Sequence, residues 1–202
     1  MVFFPINDAG GRQGLPLRPL STDALEDFLG TAPAAQRAWV ESAGFKAEPG
    51  QVCALPGADG ALEAWVFGMQ AQGWLHQLAA IVPKLPEGDY RLDCDWSREQ
   101  RLQASIGWGL ACYRFDRYKS PKGGLPSLGL PGDIESDSRR LVAAQGLVRD
   151  LVNTPTEHMG PQELADAAAA LADEFDAGFS VIEGDDLLTQ NFPAIHVVGR
   201  AS

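Results

Sequence analysis

Hard divalent cations need several oxygen ligands converging on one point, and three acidic groupings offer the raw material: Asp93 with Asp95, Asp173 with Glu174 and Asp176, and Asp185 with Asp186. Their surroundings predict a strand edge, a solvated helix end and a helix cap, so none is assigned as a metal site. His76, His158 and His196 stand singly and far apart, without the His-x-x-x-His spacing of a helix-borne site. His196 falls inside an apolar run and reads as a satisfied core residue. Cys53, Cys94 and Cys112 are odd in number and widely spaced, which argues against a disulfide framework and against a Cys-x-x-Cys zinc site. None has a histidine nearby to activate it, and no Gly-x-Ser-x-Gly elbow is present. The glycine-rich stretch 123–132 has neither Gly-x-Gly-x-x-Gly nor Gly-x-x-x-x-Gly-Lys-Ser/Thr spacing, so it reads as a restricted connector and not a phosphate loop. No catalytic, cofactor-binding or metal-binding residue is therefore assigned to this chain.

The elements that would have to position such chemistry belong to a globular chain. Its 202 residues are 45% hydrophobic and 21% charged, enough for one generous domain or a domain plus part of another. A net charge of −11 disfavours the phosphate-neutralising surface that general nucleic-acid binding requires. Arg114, Arg117, Lys119 and Lys122 form the best local basic patch, read as a solvated face across a helix end and a turn. The N-terminal residues 1–11 lack the basic start and long apolar run of a signal peptide. No apolar stretch reaches membrane-spanning length. The expectation is no membrane and no nucleic-acid partner, with a reducing cytoplasm as the location.

Strands and helices alternate, which predicts an α/β sandwich around a mixed sheet. Strands are expected over 15–20, 51–55, 63–69 and 90–94, with a turn at Pro56-Gly57-Ala58-Asp59-Gly60. Helices are expected over 24–29 behind Ser21, from Pro33 to Gly44, over 74–83, and over 97–118 behind a serine cap with Glu99 and Gln100 in the first turn. Residues 121–135 read as a linker. An amphipathic helix follows over 136–152, stopped by Thr154-Pro155. A second begins at Gly160-Pro161, with Leu164, Ala168, Leu171 and Phe175 on one face and Gly178 as its left-handed cap. Residues 179–182 are expected as a strand and 186–190 as a helical turn or two. Residues 191–199 are ambiguous between strand and helix, with Asn191, Pro193 and Gly199 favouring helix.

Three stretches resemble the leucyl aminopeptidase (cytosol aminopeptidase) family of two-metal exopeptidases. Residues 113–119 are similar to a Tyr-x-Phe-Asp-x-Tyr-Lys stretch that ends the family's N-terminal domain. Arg149 to Pro161 matches Arg-x-Leu-x-Asn-Thr-Pro-x-x-x-Met-x-Pro, which marks the passage into the catalytic domain. Within it, Asn153 and Met159 read as hinge and packing residues. Residues 181–202 resemble that domain's first strand, a short helix and a Gly-x-Ala/Gly-Ser ending. Residues 1–100 match only in general character.

The resemblance implies an N-terminal, non-catalytic, macro-domain-like α/β domain over 1–120, the linker over 121–135, and over 136–202 a linking helix with the first elements of a truncated catalytic domain. It implies a hexameric, cytoplasmic hydrolase that removes N-terminal residues from peptides, using two divalent metal ions, manganese or zinc, to activate water and polarise the scissile carbonyl. The family's ligands sit in a Lys-Gly-x-x-Phe-Asp-Thr-Gly-Gly stretch and an Asn-Thr-Asp-Ala-Glu-Gly-Arg-Leu stretch, and neither occurs in these 202 residues. The chain alone is expected to be inactive, to hold no metal, and to act as a structural or oligomer-forming part. The alternative is a free-standing macro-domain-like module for a small ligand or nucleotide. An unfinished sheet and an exposed apolar face after residue 141 would speak for the first reading.

Overall fold

The computed structural model describes residues 6–7, 14–69 and 73–200. Most of the stretch read for a signal peptide, and the closing Ala201 and Ser202 of the third likeness, lie outside the described residues. The chain folds as two compact units, 1–150 and 151–202.

In the first unit, β1 (Ile6–Asn7), β2 (Leu15–Leu20), β3 (Val52–Pro56), β4 (Leu62–Gly68), β5 (Gly88–Leu92) and β6 (Pro126–Gly129) form a six-stranded sheet in the order β1-β6-β5-β2-β4-β3. Every pairing is parallel except the β3–β4 hairpin, so the sheet is mixed as the alternating pattern predicts. Alternation along β4 divides the core. Ala64 and Val66 pack with Val40 of α2 (Ala34–Ser42) and the flank of α1 (Leu25–Thr31). Phe67 and half-buried Trp65 join Leu78 of α3 (Trp74–Ala79), Trp108 of α4 (Arg98–Ala111) and Val142 of α5 (Gly132–Asn153). Helices therefore cover both faces, and the buried side chains of a parallel sheet are satisfied on either side.

Ser97 opens α4 as expected, its hydroxyl accepting from the Gln100 amide at 3.3 Å while Gln100 returns a carbonyl to the Ser97 amide at 2.8 Å. Glycine sets the spacing of the helices behind the sheet. A Cβ at Gly107 would stand 1.7 Å from the Leu75 carbonyl oxygen, so α3 and α4 touch backbone to backbone there.

Four departures from the sequence reading appear in this unit, the first being that the helix expected over 74–83 stops at Ala79 and is followed by a separate 3-10 turn at Val82–Lys84. The helix expected over 97–118 stops at Ala111, because Arg149 of α5 takes the Leu110 carbonyl and the chain turns to bury Cys112. The stretch 121–135, read as a linker, carries β6, which lies between β1 and β5 and buries Leu128 completely. Four residues buried on both faces give no alternation to detect. The helix read from 136 begins at Gly132.

The second unit contains α6 (Pro161–Glu174), α7 (Asp186–Thr189) and α8 (Pro193–Gly199), so the helical preference for 191–199 holds. Glu163 accepts the Gly160 amide at 2.9 Å and closes the start of α6. The left-handed residue after α6 is Asp176, with φ 51°, and not Gly178. Residues 179–182 form no strand: no sheet partner exists among the described residues, and Phe179 and Val181 are exposed. No residue of α6 is buried, and Leu164, Leu171 and Phe175 of its apolar face stand open to solvent.

Candidate functional site

The strongest sequence likenesses within the first unit meet in space. The Tyr113 hydroxyl lies 2.8 Å from Asp150 Oδ1, and the Arg149 guanidinium sits over the Tyr113 ring, 5.2 Å from its centroid. Arg149 also donates to the Leu110 carbonyl at 2.9 Å. That carbonyl belongs to the last turn of α4, where backbone oxygens lack helical partners and the helix dipole favours a cation. One arginine thus caps α4, stacks on Tyr113 just beyond the helix end and ties both to α5. Arg114 closes the loop itself, donating to the carbonyls of Lys122, Gly123 and Gly124 at 3.3, 2.9 and 3.4 Å. The loop 113–124 is therefore held by one arginine from within and one from α5.

These elements enclose a cavity of about 340 Å³, floored by Cys112, Leu125, Val142 and Gly146 and rimmed by Arg114, Asp116, Arg149 and Asp150. Burial pushes the Cys112 thiol up to about 12, as an apolar floor requires. Gly146 is buried in the interior of α5, yet a Cβ built on it meets no atom within 4 Å. Glycine at such a position costs a helix roughly 1 kcal/mol relative to alanine, and here it keeps the cavity open.

A second, shallower hollow lies where the carboxyl ends of β2 and β5 adjoin, the usual crevice of a parallel sheet. Three of its polar side chains, Arg18, Asp93 and Arg101, are spent on the fold, while Asp95 is exposed at its edge. Arg18 pairs with Asp93 at 2.8 Å, and Arg101 donates to the carbonyls of Cys94 and Trp96.

The residues weighed for metal chemistry stay apart. Asp93 is held by Arg18 and Arg91 while Asp95 is exposed. Asp173, Glu174 and Asp176 stand exposed at the end of α6. Asp185 lies 3.2 Å from His196 Nε2, so His196 is a half-buried surface partner and not a core residue. His76 and His158 are exposed. Among the described residues no three histidine, cysteine or acidic side chains converge as an ion site, and the groups present do not fit a two-metal centre. The three cysteines are free, and burial raises the thiols of Cys53 and Cys94 as well. Among the described residues no helix is long and apolar enough to cross a membrane. Of the basic patch, Arg114 is a loop clamp, while Lys119 and Lys122 are exposed.

Sequence reasoning missed the Tyr113–Arg149–Asp150 junction because nothing in linear spacing links residues so far apart. Gly146 was a usable signal: an uncapped glycine inside an otherwise regular amphipathic helix calls for a packing or functional reason.

Comparison with known proteins places these features. The model of the M17 aminopeptidase N-terminal domain matches residues 15–131, and that of the cytosol aminopeptidase family catalytic domain matches 146–202. Peptidase B of Enterobacter sp. (strain 638) is 36% identical over 92 residues, covering 42% of this chain and 21% of that protein. Peptidase B of Yersinia pestis (strain Pestoides F) is 33% identical over 106 residues, covering 49% of this chain and 24% of that protein. The chain spans less than a quarter of the length of these relatives. The crystal structure of the cytosol aminopeptidase from Coxiella burnetii superposes with a TM-score of 0.86 at 32% identity, over 92% of this chain and 41% of that one. The bottromycin maturation enzyme BotP in complex with Mn follows at a TM-score of 0.67 and 26% identity, over 87% of this chain and 39% of that one. With the two family models matched in order, the first over more than half of its residues, the chain belongs to the M17 family of leucyl, or cytosol, aminopeptidases.

Proposed function

We propose that this chain is the N-terminal portion of a metal-dependent, leucyl-type aminopeptidase that removes N-terminal residues from peptides. Residues 136–202 provide the linking helix and the opening of the catalytic domain. The single observation that carries the reading is the superposition on the Coxiella burnetii cytosol aminopeptidase across both matched regions. In such an enzyme two divalent ions, manganese or zinc, supply the activated water and the polarised carbonyl. The manganese complex of BotP supports metal use of this kind in the family.

We assign no catalytic, cofactor-binding or metal-binding residue within these 202 residues, and the role of the chain itself is structural: to pack against catalytic elements and shape a cytoplasmic homo-oligomer, a hexamer in the family. The open apolar face of α6 supports this, since a contiguous exposed face normally awaits a partner surface. The test is hydrolysis of a leucyl chromogenic substrate by the purified chain, with manganese or zinc supplied. The reading predicts no metal-dependent turnover. Turnover by a clean preparation that a chelator abolishes would overturn the assignment of the chemistry to residues outside this chain.

A further inference from the structure

The cavity between the end of α4, the loop 113–124 and α5 has the features of a ligand site and none that the aminopeptidase reading uses. Its volume, about 340 Å³, lies at the small end of the range for small-molecule pockets. Its floor is apolar, and the buried Gly146 leaves open space that a long side chain at this position would enter. Its rim carries both signs of charge, and one of its carboxylates, Asp150, is engaged by the Tyr113 hydroxyl. Arg114, Arg149 and Asp116 all line the cavity, yet among the described residues none of the three forms an ion pair. Arg149 spends one donor on the Leu110 carbonyl and stacks on Tyr113, which fixes its plane and leaves the rest of a five-donor fork available. Asp116 is exposed and accepts no hydrogen bond among the described residues. Cations and a carboxylate held around one apolar hole without neutralising each other match a small zwitterion with an apolar body.

We propose that this cavity binds a free α-amino acid with an apolar side chain. The side chain occupies the space beside Gly146, the carboxylate meets Arg149, with Arg114 beside it, and the ammonium meets Asp116. A planar guanidinium already stacked on an aromatic ring loses little freedom when it takes a carboxylate bidentately. The size of the hole favours leucine, methionine or phenylalanine over glycine or alanine. Amino acids of this class are products of the reaction proposed above. The physiological meaning of the site rests on that reading, whereas its occupancy does not, so the two can fail separately.

The test is titration of the full 202-residue chain with four probes, followed by isothermal calorimetry and by the amide NMR shifts of Gly146, Gly123 and Gly124. The probes are L-leucine, 4-methylpentanoate, which lacks the ammonium, 3-methylbutylamine, which lacks the carboxylate, and glycine, which lacks the side chain. Leucine is expected to bind with a dissociation constant on the order of 1 mM or tighter, as a small ligand of ordinary efficiency can. Each of the other probes should bind at least roughly tenfold more weakly, the loss of one charge-assisted contact or of the buried side chain. Gly146→Met, which fills the hole, should abolish binding while leaving the circular dichroism spectrum unchanged. Asp116→Asn, an exposed substitution that does not threaten folding, should weaken leucine about tenfold and leave 4-methylpentanoate unaffected. No leucine binding at about 10 mM, equal binding of leucine and glycine, or an Asp116→Asn variant that binds leucine as the parent does would each overturn the proposal.

Discussion

Gly107 and Gly146 are both buried glycines in helix interiors, and they make opposite predictions for the same substitution. Changing either to alanine removes the same backbone freedom from the unfolded chain and adds the same helix propensity, about 0.5–1 kcal/mol in favour of folding. The two sites differ only in what the new methyl group meets. At Gly146 it meets open space, so Gly146→Ala should stabilise by about 0.5–1 kcal/mol. At Gly107 it would stand 1.7 Å from the Leu75 carbonyl oxygen, a backbone atom that cannot rotate away. Relieving that overlap means shifting α3 from α4 beneath Trp108, an overpacking cost of about 1–3 kcal/mol or more that outweighs the propensity gain. Gly107→Ala should therefore be net destabilising by about 1–2 kcal/mol, a loss of several degrees in melting temperature at this size. Urea unfolding followed by tryptophan fluorescence reads the first unit alone, because Trp39, Trp65, Trp74, Trp96 and Trp108 all precede residue 150. A Gly107→Ala chain as stable as the Gly146→Ala chain would refute the close helix approach described above.

Four further outcomes follow. Arg98 bridges Asp133 at 3.0 Å and Asp137 at 2.8 Å, and its hydrogen bond, with that of Arg140, holds the Asp137 carboxyl below its ordinary value. This contribution is complete above the ordinary carboxylate range and fades as pH falls through the lowered value. Arg98→Ala should move the Asp137 titration, followed by carboxyl NMR, back upward, and an unmoved titration would count against the pair. At pH 8 a thiol reagent should label half-buried Cys94 first and leave Cys53 and Cys112 until denaturant is added; early labelling of Cys112 would contradict its dry position. Trypsin should cut at exposed Lys119 or Lys122, yet the two pieces should stay together on gel filtration because β6 pairs on both edges, whereas separation would argue against that strand. Arg149→Ala should lower stability by about 1–2 kcal/mol through loss of the helix cap and the ring stack, and a neutral result in urea unfolding would remove the junction from the fold's supports.

What was legible in the sequence was whatever repeats locally. The run 15–20, the Ser97 cap and the amphipathic 136–152 segment carry their own periodicity or capping chemistry, and each became the expected kind of element, although α4 ends at Ala111 and α5 begins at Gly132. Elements defined by distant partners were not legible. β6 is four residues deep in the sheet and reads as a loop until β1 and β5 flank it, and residues 179–182 look like a strand but find nothing to pair with. The 149–161 wording identified the family, but not what Arg149 does. Only the fold brings it to Tyr113 and to the Leu110 carbonyl, and so reveals the cavity between them.

The most direct measurement is a chimera of the Coxiella burnetii cytosol aminopeptidase in which residues 15–200 of this chain replace the superposed N-terminal portion. If this chain is the scaffold of an M17 aminopeptidase, the purified chimera will hydrolyse a leucyl substrate in the presence of manganese, and chelation will abolish the activity. A chimera that folds, assembles and binds manganese but turns over no substrate would contradict the account.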